Sequence, residues 1–419
     1  MSHDHEDHQT AVHQANTTGQ GPNSRPHDDV LERQPDDRSG RRRHDDGDRE
    51  APPSGSVICL RPWRDVESLD LGDNTTDEIE NILDECAVAI LWINHGILAS
   101  DYVARVELPA ISRAWSRNGL RIVPVFDGMT PEEASTRMRD FGLEVQDSNG
   151  HVVDNEQSDE ATARDIAARC ARATINRAHA FGTPPSVRLV TYDDTADLRD
   201  DAVVNLDWRH HTADDTLTTV AEQRLRSALH TTSRAVKEAY GASDITLAVK
   251  AHLPLATALG HAFAEPTGCT LQMLRDEQTW HTTRRPAEVP PLTHLRSPRG
   301  PVDADAAALE ISISRDVEVG VDAYAQNRRY RHRAKLLPAT GPDRDAVDGP
   351  VTANAWARQI GDSITDLCDA RYVEHVDVFL ATPVELAVMT GWWANAAGNV
   401  NLMNWTGKTG PYARMWTLP

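Results

Sequence analysis

Lysine is nearly missing from this 419-residue chain: it occurs only as Lys237, Lys250, Lys335 and Lys408, and nearly all other positive charge is arginine. Even with arginine counted, 43 basic residues face 64 acidic ones, for a formal net charge of -21. That balance argues against a DNA or RNA binder, whose grip on phosphates needs basic stripes. Cysteine is sparse, and Cys59, Cys86, Cys170, Cys269 and Cys368 form no CxxC pair. This argues against structural zinc and points to a reduced, cytoplasmic protein. No apolar stretch approaches the ~20 residues of a membrane-spanning helix, and the N-terminus has no signal-peptide core, so no membrane contact is expected. Few aromatics and an Asp-rich, Lys-poor composition fit either a surface adapted to high salt or high-GC codon usage.

Residues 1–55 also lack apolar periodicity and read as a disordered acidic tail, since they cannot bury enough surface to offset ordering entropy. His3, His5 and His8 lie in that tail without a second ligand group, so no metal site is expected.

From Ser56 the composition is globular, and the length suffices for two domains plus extra segments. Residues 56–60 and 87–93 read as strands around a helix through Asp84, opened by a Thr75/Glu78 capping box. Helices over 100–115 and 131–139 flank a strand over 121–126; 147–157 is a polar loop, and an Ala-rich helix over 161–178 follows. Alternating strands and helices indicate a parallel sheet. Beyond Gly182, strands are expected over 187–191, 203–208, 269–274, 309–314, 400–405 and 413–418. Helices are expected over 216–240, 316–326 and 353–368, with a loop over 286–303 and a linker over 336–350.

Two further segments share one design. Residues 245–260 (ITLAVKAHLPLATALG) and 376–391 (VDVFLATPVELAVMTG) each run from an apolar strand through a short turn into an apolar helix ending at glycine. Lys250, Ala251 and His252 form the first turn; Ala381, Thr382 and Pro383 form the second. Pro383 suits the first helical position, and Thr382 suits a cap. Each unit thus sets a helix N-terminus at the carboxyl end of a buried strand, where doubly wound sheets bind ligands and backbone N–H groups hold phosphates. The pair points to two Rossmann-like halves facing one anionic ligand.

Leu98, Ser100, Asp101 and Tyr102, followed by Glu107, Leu108 and Pro109, resemble the strand-turn-helix of TIR domains. Residues 119–128 (GLRIVPVFDG) resemble that family's next strand, and residues 64–77 its contact loop. The resemblance covers roughly 56–180 and implies a flavodoxin-type parallel sheet that cleaves NAD+ as substrate, with Glu107 as the catalytic glutamate. A carboxylate facing the ribose stabilises the oxocarbenium-like state of nicotinamide loss. Taken from spacing alone, Glu107 is an ordinary surface charge. TIR domains normally open with a strand of the FISY kind and a helix, which residues 1–55 do not supply, and Asn94 stands where serine is common.

Residues 187–193 (VRLVTYD), 203–208 (VVNLDW), the two units and the closing NLMNW and GPYARMW resemble the SAVED domain, over about 186–419. That family senses cyclic oligonucleotides in anti-phage signalling (CBASS). The resemblance implies a cyclic tri- or tetra-nucleotide activator. Lys250, Ala251, His252, Ser314, Arg315, Thr382 and Pro383 are the candidate contacts. Trp280, Trp405 and Tyr412 fit core or edge packing better than base stacking. The expected protein is an effector that binds the ligand, self-associates into an oligomer or filament and destroys NAD+. The alternatives are a non-enzymatic sensor whose incomplete TIR-like domain serves assembly, and a nucleoside-processing enzyme of another kind.

Overall fold

The computed structural model describes residues 79, 82–83, 86–145, 150–153, 159–192, 202–297, 300–301, 303–326, 328–395, 398–407 and 412–419. The expected tail, the strand over 56–60, the Thr75/Glu78 capping box and the loop 64–77 lie outside them. Among the described residues the architecture is mixed α/β with three sheets.

The N-terminal sheet holds three parallel strands in sequence order: β1 (Val88–Ile93), β2 (Arg121–Phe126) and β3 (His151–Val152). Asn94 caps the short α1 (His95–Leu98) by accepting the Ile97 N–H at 2.8 Å, a local reason for asparagine at this strand end. A π-helical turn (Val103–Glu107) then runs into α2 (Leu108–Asn118), so residues 100–115 are not one regular helix. Thr130 and Glu133 form a capping box at α3 (Pro131–Met138). Strand β3 falls within the expected polar loop. Two residues are too few to show a period in sequence. Opposite this layer, α4 (Asp159–Ala180) packs Ile166 and Cys170 on the other face of the sheet.

The rest of the chain builds two sheets of one topology. In the first, β4 (Ser186–Val190), β5 (Val204–Asp207), β6 (Asp244–Lys250) and β7 (Thr270–Arg275) are parallel in the order β5-β4-β6-β7, and β8 (Gln278–His281) pairs antiparallel with β7. Helix α5 (Thr219–Tyr240) leads into β6, and α6 (Leu253–Ala262) follows it. In the second, β9 (Thr293–Arg296) is an antiparallel edge strand beside the parallel set β10 (Ala306–Ser312), β11 (Tyr330–Leu337), β12 (His375–Ala381) and β13 (Val400–Trp405). These run β11-β10-β12-β13, with β14 (Tyr412–Leu418) antiparallel outside. Helix α7 (Glu318–Ala325) follows β10, α8 (Pro350–Cys368) precedes β12, and α9 (Val384–Trp393) follows it. Each half places its first strand between its second and third, so each has a switch point at its first and third strands.

Three strands of these sheets escape the sequence pattern; the first, β8, is only four residues long with Trp280 alone buried. β9 lies in the expected loop 286–303 and is exposed along its length, so it has no apolar alternation to read. β11 (YRHRAKLL) carries Arg331, His332, Arg333 and Lys335, and its end falls in the expected linker 336–350. Its Ala334 and Leu336 nevertheless enter the core. Arg333 pairs with Glu310 at 2.7 Å and Asp322 at 2.8 Å, while Lys335 pairs with Asp316 at 2.8 Å and Glu318 at 2.7 Å.

The glycines of the duplicated units do not end their helices; Gly260 lies inside α6 and Gly391 inside α9. The helices cross there. A Cβ on Gly260 would overlap the carbonyl of Val388, and one on Gly391 would overlap the carbonyl of Thr257. Both helices are buried on almost every side, which matches their uniformly apolar sequences. Gly391→Ala is expected to cost about 1–3 kcal/mol or more in urea unfolding, because two backbones must separate. Gly398→Ala, whose Cβ would meet only Cys368 Cβ at 3.8 Å, serves as control and should be close to neutral.

Candidate ligand-binding site

A cavity of about 210 Å³ opens at the carboxyl ends of the parallel strands of both halves. Its first wall is Tyr192 after β4 and His252, Leu253 and Pro254 after β6. Leu380, Met403, Asn404 and Trp405, from the ends of β12 and β13, form the second, with Arg315 after β10. Asp215, from the loop between β5 and α5, completes it. A larger cavity of about 320 Å³ lies at the opposite, amino ends of β6 and β7, among Asp244, Cys269, Thr270 and Trp392. The carboxyl-end cavity is the candidate, since switch-point loops gather side chains from several strands there.

His252 is 2% exposed and organises the first wall. Its backbone N–H donates to Thr191 Oγ1 at 2.9 Å, and the Thr191 hydroxyl lies 2.7 Å from Nδ1. Nε2 lies 2.8 Å from Asp215 Oδ1. These partners assign the tautomer: Thr191 donates to Nδ1 and Nε2–H donates to Asp215. Burial pushes the imidazole pKa below its ordinary value, against the opposing pull of the Asp215 carboxylate. Both ring nitrogens are engaged, so His252 positions its neighbours. Tyr192 lies against the imidazole, ring centroids 4.3 Å apart, and burial together with Asp215 pushes its hydroxyl up to about 12.

Asp215 joins the walls. Besides accepting from His252, it takes a hydrogen bond on its main-chain oxygen from Asn404 Nδ2 at 2.9 Å. Its φ of 56° is left-handed, a conformation that aspartate tolerates better than most residues. Across the cavity the Arg315 guanidinium lies 5.8 Å from the Trp405 ring centre, and Tyr412 meets that ring edge-on at 5.3 Å.

Of the expected contacts, His252 and Arg315 line the cavity together. Lys250 ends β6, half-buried, with its carbonyl accepting from the Thr191 N–H at 3.0 Å. Ala251 is buried, and Ser314 is half-buried with its N–H on the Ala381 carbonyl at 2.8 Å. Thr382 does not cap α9: its hydroxyl donates to the Pro383 carbonyl at 2.9 Å, and Pro383 itself holds the N-cap position. None of these five is among the cavity-lining residues. Trp280 is 3% exposed in the core, as packing required, whereas Trp405 both packs and lines the cavity. Tyr192, Asp215 and Asn404 were not singled out in sequence. A positive-φ aspartate in a polar loop has no signature without its partners. Glu107, half-buried, ends the π-helical turn ahead of α2, in the N-terminal unit.

Residues 228–418 match the SAVED family model, described as the SMODS-associated and fused to various effectors sensor domain. The match takes in α6, α9 and most of the cavity. Among solved structures the chain is similar to the Acinetobacter baumannii Cap4 SAVED/CARF-domain containing receptor with the cyclic trinucleotide 3'3'3'-cAAA: 12% identity, 79% of this chain and 88% of that one, TM-score 0.48. The same receptor with 2'3'3'-cAAA matches at 13% identity over 79% and 88%, TM-score 0.49. The Moraxella osloensis Cap4 SAVED/CARF-domain containing receptor matches at 13% over 83% and 86%, TM-score 0.45. Likenesses at this level transfer no residue role. No curated protein matches the chain. Among the described residues no helix is long and apolar enough to cross a membrane, and no group of three or more His, Cys, Asp or Glu gathers as a metal site.

The depressed His252 pKa sets a sign for stability. The contribution of the neutral imidazole is complete above its ordinary value of 6.5 and is lost as pH falls from there through the lower folded value, because the unfolded chain takes the proton first. His252→Gln is expected to lower stability by about 2 kcal/mol near about pH 7.5. The gap to wild type should narrow by about pH 5 in paired urea melts. A gap independent of pH would mean that His252 titrates alike in both states.

Proposed function

We propose that the protein is a receptor for a small cyclic oligonucleotide, of three or four nucleotides, bound where the two halves meet. The observation that carries this reading is a cavity walled by the switch-point loops of both halves, most of it inside a region matching a sensor-domain family. Apolar and aromatic walls with a few placed polar groups suit a nucleotide, and Arg315 at the rim suits a phosphate beside it. Calorimetry against cyclic tri- and tetra-adenylate tests the reading. Arg315→Ala is expected to weaken the tighter ligand about tenfold or more, since a charge-assisted hydrogen bond contributes about 1.5–3 kcal/mol. An unchanged Kd would move the phosphates elsewhere.

The finer reading makes this receptor an anti-phage effector whose N-terminal unit cleaves NAD+ when the ligand drives assembly. It is supported by the TIR-like motif and by a π-helical turn ending at Glu107, since such turns recur at functional sites. Coupling through assembly is physically reasonable, because a ligand acts only through different affinities for two states. The contact-loop segment 64–77 lies outside the described residues. Glu107→Gln, nearly isosteric, is expected to abolish ligand-stimulated nicotinamide release while ligand binding is retained. Wild-type protein that binds ligand but releases no nicotinamide would favour the non-enzymatic sensor, with the N-terminal unit serving assembly.

A further inference from the structure

The chemistry of the cavity narrows what lies in it. Arg315 is the one lysine or arginine among the lining residues, and the Asp215 carboxylate faces the same space with its side chain 44% exposed. One cation against one anion makes a poor phosphate cradle, because the carboxylate repels the very group that the arginine attracts. The remaining surface suits a flat, weakly polar molecule: Tyr192 and Trp405 are aromatic, and Leu253, Leu380 and Met403 are apolar. At about 210 Å³ the space is smaller than the ~300–1,000 Å³ of pockets for drug-sized ligands and matches a single base with part of its sugar.

Asp215 is aimed rather than incidental. Its backbone is held in the left-handed region, its Oδ1 is taken by His252 at 2.8 Å, and its main-chain oxygen is tied to Asn404 at 2.9 Å. Strain maintained by partners on both walls is the pattern seen where geometry serves a site. Oδ2 carries no hydrogen bond among the described residues and is an acceptor only. We propose that Asp215 makes this cavity a reader of nucleobase amino groups: an exocyclic –NH2 of adenine, guanine or cytosine donates to Oδ2, whereas uracil or hypoxanthine places a carbonyl there and is repelled. This rests on the reading of the protein as a cyclic-oligonucleotide receptor.

The test uses the full chain and a panel of cyclic di-, tri- and tetranucleotides in which each amino base is paired with its deaminated counterpart, adenine with hypoxanthine, guanine with xanthine and cytosine with uracil. Kd is measured by calorimetry. The amino form of the ligand that binds is expected to bind about ten- to hundredfold tighter than its deaminated form. Asp215→Asn keeps an oxygen for His252 and turns an amide N–H2 toward the base, so it should reverse the preference, an outcome that loss of fold cannot mimic. Equal affinity for both members of each pair in the wild type, or an amino preference that survives in Asp215→Asn, overturns the proposal and leaves the receptor reading intact. Absence of binding across the whole panel overturns the receptor reading and this proposal with it.

Discussion

Everything in the C-terminal part of the molecule depends on two helices touching backbone to backbone. At Gly260 and Gly391 the space that a side chain would occupy is filled by a carbonyl of the other helix. The contact is reciprocal: α6 and α9 follow the third strand of their respective halves. Because they touch without intervening side chains, the two sheets share one hydrophobic core that runs from Val187 and Leu247 in the first half to Val378 and Leu402 in the second. Arg275, at the end of β7, meets Glu385 in the first turn of α9 at 3.3 Å, a second tie between the halves.

This contact makes a shared cavity possible. A single doubly wound half presents one switch point, whereas two halves joined at the helices after their third strands present two. The facing loops are then close enough for Asp215 to reach His252 on its own half and Asn404 on the other. A neutral, fully engaged imidazole and a strained aspartate are stable only because each satisfies the other; His252 alone would be a buried polar group with an empty hydrogen-bond site.

Helix α4 extends the connection toward the N-terminal unit. One of its faces packs on the three-stranded sheet, and another carries Ala171 and Ile175 into the core of the two halves against α5. Glu160 of α4 also pairs with Arg224 of α5 at 2.8 Å. Through these contacts α5 and the sheet that carries the segment ending at Glu107 pack on the same helix.

The sequence alone determined the α/β class, most strands and helices, and the duplication of a strand-turn-helix unit. Hydrophobic period and turn chemistry are local properties, and segments such as 245–260 and 376–391 carry them in full. It misread what depends on neighbours. The two glycines looked like helix ends because only the opposing helix reveals why no Cβ fits. β11 was not read as a strand, and its end fell in the expected linker 336–350, because Glu310 and Asp316, which neutralise its cations, lie many residues away. Thr382 looked like a cap because the sequence does not show that its hydroxyl turns to the Pro383 carbonyl. Asp215 carried no signal, since its role comes from contacts 37 and 189 residues along the chain, with His252 and Asn404. Only the tertiary structure decided which side chains share a cavity, because parallel sheets gather residues from the ends of strands that are far apart in sequence.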